Sequence, residues 1–166
     1  MKIYSTTLET PLGPITVVET DEVVLGSGWY PTAAPLVARL DDIDPASVQE
    51  RADGPGAKAL RAYFAGEVDV FDGVAVRQPG SPYRQRVYTE MRKIRAGETI
   101  SYSELARRAK NERAVRAAAT CCAQNLIAPI VPCHRVLRSD GSLGGYGYGL
   151  PNKTWLLEHE AAATRS

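Results

Sequence analysis

Cysteine and histidine are scarce in this chain of 166 residues, and both are missing from residues 1–120. The thiols are Cys121, Cys122 and Cys133, and the two histidines are His134 and His159. An odd number of cysteines, two of them adjacent, does not make a disulfide framework. The chain has no CxxC or HxxxH spacing, so a structural zinc site is not favoured. We therefore expect free thiols in a reducing compartment, no bound metal and no cofactor.

Long apolar runs are also missing. No stretch approaches the roughly 20 apolar residues that a membrane-spanning helix needs. Residues 1–9 lack the basic start, apolar stretch and cleavage site of a signal peptide. Hydrophobic residues make up 44% and charged residues 23% of the chain, which is typical of a folded globular protein. We expect a cytoplasmic protein without a membrane partner, built as one large domain or two small ones.

The net charge of +1 hides two halves of opposite sign. Residues 1–78 carry 6 basic against 12 acidic side chains, whereas residues 79–166 carry 14 against 7. Clustered Lys and Arg favour a polyanionic partner, because they release counterions from a phosphate backbone. A merely solvated basic face is the alternative on charge alone. The segment 78–82 contains two prolines and a glycine, so we place a domain boundary between Gln78 and Pro79.

The acidic half, residues 1–78, is predicted to be a small sheet-and-helix domain. Residues 3–8 and 15–24 are rich in β-branched side chains around a Pro-Leu-Gly-Pro turn, which predicts a hairpin, and a third strand follows at 23–29. Weak helical patterns cover residues 33–40 and 56–65.

The basic half, residues 79–166, is predicted to be mainly helical. An amphipathic stripe predicts a helix over 83–95, and a Ser-x-x-Glu capping box opens a helix over 101–109. The small-residue run 114–123 predicts another, and the last helix covers 152–163. Two short helices with a tight turn resemble a helix-turn-helix, although a plain helical hairpin has the same spacing.

The dipeptide Cys133-His134 is the first candidate for chemistry. A thiolate is a strong nucleophile and an imidazole is its usual base, so polar neighbours are expected to lower the thiol pKa. A buried structural cysteine beside a satisfied histidine is the alternative. The apolar segment 126–136, with two prolines, is predicted to run through the core. Five glycines and two tyrosines over 139–149 predict a loop that approaches a flat ligand closely.

The string Ile130-Val131-Pro132-Cys133-His134-Arg135-Val136 resembles the active-site motif of the O6-alkylguanine-DNA alkyltransferases. The resemblance runs from Tyr83 to Glu160, and upstream the segments 5–17 and 63–67 resemble the family's amino-terminal domain. It implies an α+β fold, in which a ribonuclease-H-like domain precedes a carboxy-terminal winged helix-turn-helix.

The resemblance implies direct-reversal DNA repair. Cys133 would attack the alkyl carbon on O6 of guanine, with O4-alkylthymine left open as a second substrate, and keep the alkyl group permanently. His134 would deprotonate Cys133 through a bound water, Glu160 would orient the imidazole, and Asn125 would brace the network.

The same resemblance assigns residues to the target base. Tyr102 would donate to guanine N3, although a core aromatic at a helix start is the alternative. The carbonyls of Cys133 and Val136 would accept the guanine amino group. Tyr146 would form a pocket wall, and the Gly147 amide would bind O6.

Residues on the second short helix would contact DNA. Arg116 would fill the space left by the flipped nucleotide, although a simple phosphate contact stays open. Ala114 and Ala117 would approach the minor groove. Tyr102 and Arg135 are further candidates for DNA contact. Where the family usually has glycine, this chain has Ala119 and Thr120, which make the helix bulkier. The expected partner is duplex DNA bound by a monomer, with cooperative binding left open.

Three other functions compete with repair. A lesion-binding relative that transfers nothing is disfavoured, because the nucleophile Cys133 is present. A DNA-binding regulator that senses alkylation or redox state would bind DNA without transfer. A thiol hydrolase would turn over, but no oxyanion-stabilising elements are indicated.

Overall fold

A computed structural model describes residues 1–165, which form two compact units. The first contains Met1–Gln78 together with Leu126–Ile130, and the second contains the remaining residues from Pro79 onwards. The boundary predicted at Gln78 put residues 126–130 in the carboxy-terminal half. They belong to the first unit because their backbone is hydrogen-bonded to Ser27. The division into independently folding domains stays a prediction.

The first unit is built on a four-stranded sheet of order β3-β2-β1-β4. Its strands are β1 (Ile3–Thr10), β2 (Gly13–Glu19), β3 (Val24–Gly28) and β4 (Val48–Glu50). The predicted hairpin and third strand are confirmed, and Gly13 at φ +97° supplies the turn that Pro-Leu-Gly-Pro indicated. The three-residue β4, parallel to β1, is too short to give a sequence pattern.

Two helices pack against this sheet, α1 (Ala33–Val37) and α2 (Pro55–Phe64). The predicted helix over 56–65 corresponds to α2, in which Leu60 and Tyr63 are fully buried and Phe64 is half-buried. The buried carboxylate of Glu19 accepts hydrogen bonds from the Gly56 and Ala57 amides at 2.8 and 3.2 Å. It thereby satisfies two amides that the first turn of α2 leaves without a helical partner.

The segment Leu126–Ile130 is buried and extends the first unit beside β3. Its backbone exchanges hydrogen bonds with Ser27, from Ser27 N to Leu126 O at 2.9 Å and from Ala128 N to Ser27 O at 3.1 Å. The Ser27 hydroxyl also donates to Ala128 O at 2.8 Å. The predicted passage of this apolar stretch through the core is confirmed.

The second unit is mainly helical, as predicted. It contains α3 (Pro82–Met91), α4 (Tyr102–Arg108), α5 (Val115–Ala123) and α6 (Leu150–Thr164), with the paired strands β5 (Ile100–Ser101) and β6 (Val136–Leu137). Helix α3 ends four residues before the predicted Arg95, because the amides of Lys93 and Ile94 bond three residues back instead of four. The α+β class is confirmed, whereas the ribonuclease-H-like and winged labels stay predictions.

Helices α4 and α5 form the predicted pair with a tight turn. The Ser101 hydroxyl accepts from the Glu104 amide at 3.0 Å, which is half of the capping box. The other half is absent because the Glu104 carboxylate binds Arg107 and Arg108. Helix α4 ends in a Schellman turn, in which Lys110 at φ +66° takes the left-handed position. No helix within residues 1–165 is both long and apolar enough to cross a membrane.

Candidate active site

Cys133 lies in a single 3-10 turn, Cys133–Arg135, directly before β6. Strand β6 pairs in parallel with β5, with Ile100 opposite Val136. Since Tyr102 begins α4 immediately after β5, this short pairing brings Tyr102 and Cys133 to one place in the second unit.

Cys133 and Tyr102 line a pocket of about 310 Å³, a size that suits a small flat ligand. The predicted Tyr146 and Gly147 also line it. The remaining walls are Ala119, Cys122, Ala123, Arg138, Gly144 and Gly145. Cys121 is buried, and Cys122 is both buried and a wall of the pocket.

The glycine loop approaches Tyr102 closely at one position, where a side chain would be strained. Gly144 has φ +71°, and a Cβ there would lie 3.1 Å from both the ring and the hydroxyl of Tyr102. Gly145 and Gly147 have open space instead. The close contact that the structure shows is made to Tyr102 at Gly144, and the approach of this loop to a flat ligand stays a prediction.

The sulfur of Cys133 receives a hydrogen bond from Asn125 Nδ2 at 3.3 Å. The same amide donates to Val131 O at 2.8 Å, so Asn125 links the Cys133 sulfur to the backbone two residues before it, and its bracing role stays a prediction. Burial raises the pKa of Cys133, although the Asn125 bond and the Lys153 charge oppose the rise. The expected lowering of this pKa is wrong, because desolvation outweighs the polar neighbours. The resting group is a neutral thiol.

His134 is fully buried beside Glu160, with 2.7 Å between Nε2 and Oε2. Burial lowers the pKa of His134, and the Glu160 charge only partly offsets this. Burial alone would raise the pKa of Glu160, but His134 and Arg135 hold it well below its usual range. Within residues 1–165, the buried Nδ1 of His134 has no hydrogen-bond partner. A neutral imidazole that donates through Nε2 presents Nδ1 as a proton acceptor.

Arg135 is the clearest correction to the sequence analysis, which made it a DNA contact. Its side chain is buried, and Nε and the NH2 nitrogen donate to the two oxygens of Glu160 at 2.8 and 3.0 Å. The NH1 nitrogen donates to Ile94 O at 2.6 Å. A guanidinium engaged in this way faces the interior and cannot reach a phosphate.

Lys153 is a site residue that the sequence analysis did not single out. Its buried ammonium donates to Val136 O at 2.8 Å, Leu143 O at 2.5 Å and Gly145 O at 3.2 Å. It ties the glycine loop to the strand that follows the nucleophile. Val136 itself does not line the pocket, and its carbonyl binds Lys153, so its expected contact with the base is not supported.

Tyr102 presents a protonated hydroxyl to the pocket. Burial, with smaller contributions from the Cys122 and Cys133 thiols, raises the pKa of Tyr102 to about 12. The phenol therefore stays a hydrogen-bond donor at any physiological pH. This protonation state suits the expected role of a donor to a leaving base.

The residues expected to contact DNA, other than Arg135 and Tyr102, lie at the start of α5. Arg116 and Ala117 are exposed and Ala114 is half-exposed. Ala119, one turn after Arg116, is a pocket wall, so the exposed start of α5 adjoins the pocket. No group of three or more His, Cys, Asp or Glu side chains suited to a metal ion occurs in the part of the chain that the structure describes.

Comparison with known proteins matches residues 82–162 to the family described as 6-O-methylguanine DNA methyltransferase, DNA binding domain. The methylated-DNA–protein-cysteine methyltransferase of Shigella flexneri is 32% identical over 165 residues, 96% of each chain. The corresponding protein of Methanosarcina acetivorans is 33% identical over 160 residues, 96% of this chain and 99% of the relative. The crystal structure of Mycobacterium tuberculosis OGT in complex with DNA superposes with a TM-score of 0.81 at 33% identity, covering 96% and 94% of the two chains.

Proposed function

Since the chain belongs to the 6-O-methylguanine DNA methyltransferase family, we propose that it repairs O6-alkylguanine in DNA by moving the alkyl group to Cys133. The reaction is a direct reversal, and each protein molecule performs it once. The observation that carries this assignment is the position of the Cys133 thiol. It lines a base-sized pocket with Tyr102 and accepts a hydrogen bond from Asn125.

Proton removal from Cys133 starts the reaction. The burial that keeps the thiol neutral at rest protects it from reagents in solution, because only the thiolate is strongly nucleophilic. His134 Nδ1 takes the proton through a water molecule, and Glu160 stabilises the imidazolium that forms. Asn125 donates to the sulfur as it becomes anionic, which favours the thiolate.

The thiolate then attacks the alkyl carbon in line with the C–O6 bond. The S–C bond forms, the C–O bond breaks, and its electron pair stays on guanine. The Tyr102 hydroxyl donates its proton to N3, so the base leaves as neutral guanine, and the proton held by His134 then returns through water to the Tyr102 oxygen. Atoms and charges balance, and the alkylated Cys133 has no route back to a thiol.

The target nucleotide leaves the duplex to reach this pocket, at a cost of a few kcal/mol that is smaller for a badly paired base. Arg116 occupies the space it leaves, and the small side chains of Ala114 and Ala117 let α5 approach the minor groove. Tyr146 and the backbone of Gly147 contact the flipped base. We place this activity in the cytoplasm of the cell, where thiols stay reduced.

Intact-protein mass after incubation with a duplex carrying one O6-methylguanine tests the proposal. One methyl group should be gained per protein molecule, and peptide mapping should place it on Cys133. Cys133→Ser should gain none while still binding the lesion, and Cys122→Ser serves as the matched control that keeps the nucleophile. Tight lesion binding without mass gain by the wild type would assign the protein to the alkylation sensors instead. Product release with multiple turnovers would indicate a hydrolase.

A further inference from the structure

In the second unit, the carboxylate of Glu160 accepts hydrogen bonds from two buried side chains, those of His134 and Arg135. Glu160 Oε2 accepts from His134 Nε2 at 2.7 Å and from the Arg135 NH2 nitrogen at 3.0 Å, while Oε1 accepts from Arg135 Nε at 2.8 Å. The side chains of His134 and Glu160 are at most 1% exposed and that of Arg135 is 7% exposed. Water therefore contributes little to their charge balance.

The charges of this cluster determine the protonation state of His134. A buried carboxylate needs a positive partner, because an unpaired charge in the interior costs several kcal/mol. With Glu160 and His134 alone, the imidazole would carry that charge and both ring nitrogens would be protonated. The bidentate guanidinium of Arg135 supplies it instead, so the neutral imidazole keeps the cluster uncharged overall.

We propose that Arg135 is a positioning residue that keeps His134 neutral, with Nε2 protonated toward Glu160 and Nδ1 free to accept the proton of Cys133. This inference rests on the proposed function, in which His134 is the base that deprotonates Cys133. The unpartnered Nδ1 is the second observation that favours it, because no protein acceptor is positioned for a protonated Nδ1, whereas an unprotonated Nδ1 can accept from the water that carries the proton of Cys133. Arg135 NH1 also binds Ile94 O just beyond α3, which fixes the guanidinium in place.

The other charged group near His134 acts in the same direction. The ammonium of Lys153 on α6 repels an imidazolium, as Arg135 does, whereas Glu160 on α6 is the anion that favours it. Burial adds to the effect of the two cations. Removing Arg135 therefore leaves Glu160 to attract a proton to His134 with only Lys153 and burial opposing it.

Nitrogen-detected proton NMR of the imidazole rings tests the proposal directly, since the chain has two histidines and His159 serves as an internal reference. In the wild type, His134 should be neutral with its proton on Nε2 from pH 5 to pH 8. In Arg135→Met, which keeps the length of the side chain and removes its charge, His134 should become cationic within that range. In Arg135→Met/Glu160→Gln, which removes both charges, it should be neutral again.

Single-turnover methyl transfer gives the functional readout. In Arg135→Met the rate should fall about tenfold more at pH 6 than at pH 8.5, because a cationic imidazole has no free nitrogen to accept the proton of Cys133. Arg135→Lys keeps the positive charge but loses the bidentate hydrogen bonds to Glu160. His134 should stay neutral in this variant, and the rate should show no such pH-dependent loss. This variant is the one to measure if Arg135→Met does not fold.

A neutral His134 in folded Arg135→Met, or a cationic His134 in Arg135→Lys, would overturn the proposal. Lower thermal stability of Arg135→Met with an unchanged pH profile would show a purely structural role and would overturn it too. These outcomes are separate from the proposed function. Failure of that function would appear as wild-type protein that gains no methyl group at any pH, whatever the state of His134.

Discussion

The side-chain amide of Asn125 lies 3.3 Å from the sulfur of Cys133. Asn125 follows directly after α5, and its amide also donates to Val131 O at 2.8 Å. One residue therefore binds both the Cys133 sulfur and the backbone just before Cys133. A donor aimed at a sulfur gains most when that sulfur becomes an anion.

Asn125→Ala should slow methyl transfer at pH 7 by roughly 10- to 100-fold, since a hydrogen bond to a charged group contributes about 1.5–3 kcal/mol. The deficit should shrink at high pH, where the thiolate forms without this help. Stopped single-turnover transfer across pH 6–10 measures both effects. Asn125→Asp is the matched variant, which keeps the shape but places an anion beside the sulfur, and it should be slower than Asn125→Ala. Equal deficits at every pH would limit Asn125 to bracing the backbone.

Tyr102→Phe should slow transfer by about 10²-fold or more, because a positioned proton donor to a leaving group contributes on that scale. The wild-type rate should not fall from loss of this donor until the pH approaches about 12, where the hydroxyl of Tyr102 ionises. Since only one oxygen is removed from a half-buried ring, the thermal midpoint should change little. A Tyr102→Phe protein that transfers methyl at the wild-type rate would leave Tyr102 as a packing residue.

Gly144→Ala should reduce transfer and lower the free energy of unfolding by roughly 1–2 kcal/mol. The reason is twofold: φ +71° strains an L-residue, and the added methyl would lie 3.1 Å from Tyr102. Gly145→Ala is the neighbouring control, because nothing lies within 4 Å of a Cβ there. Chemical denaturation and single-turnover transfer of the two variants should differ clearly. Similar behaviour would mean that the loop adjusts and that the fit against Tyr102 is unimportant.

Arg116→Ala should slow repair of a duplex while leaving transfer from the free alkylated base unchanged. Its exposed side chain at the start of α5 is expected to act on DNA and not on the chemistry. Lys2→Ala, which removes another exposed cation from the first unit, should have no effect on either substrate. Equal slowing on both substrates would instead place Arg116 in the machinery of the pocket.

The thermal midpoint should fall on acidification from pH 7 toward pH 5. The pKa of His134 is lower in the folded protein than in the unfolded chain, where it is near 6.5. Below that value the unfolded chain binds a proton that the folded protein does not, so stability rises with pH through this window. The carboxylate of Glu160 adds a separate loss only below its unfolded pKa of about 4.3. His134→Gln should flatten the dependence between pH 5 and pH 7 in calorimetric scans, and an unchanged slope would attribute it to other groups.

The helices and strands with a clear local sequence pattern could be predicted. The hairpin, the third strand and α1 through α6 were expected from β-branched runs, helical spacing and the cap at Ser101. Strands β4, β5 and β6 were not, because two or three residues carry no periodicity and the pairing of β5 with β6 is set by tertiary contacts. The pocket depends on that pairing.

Charged residues in the interior were the hardest to predict. Arg135 follows the nucleophile in a basic half, so sequence alone favoured DNA, and only the position of Glu160 shows why it is buried. Helix α6 did hold a signal: its buried residues, Lys153, Leu156 and Glu160, repeat at the spacing of one helical face. A lysine and a glutamate on the same stripe as a core leucine indicate internal partners, which is where the structure places them.

The hydrogen bond between Ser27 and Ala128 joins residues 101 positions apart and has a consequence for biosynthesis. Domains generally begin to fold amino-terminal first as the ribosome releases them. Here the edge of β3 lacks its last partner until Leu126–Ile130 has been translated, which happens only after α4 and α5 have been translated. The unit at the start of the chain is therefore completed late, and the same short segment that finishes its sheet immediately precedes the residues that carry the nucleophile.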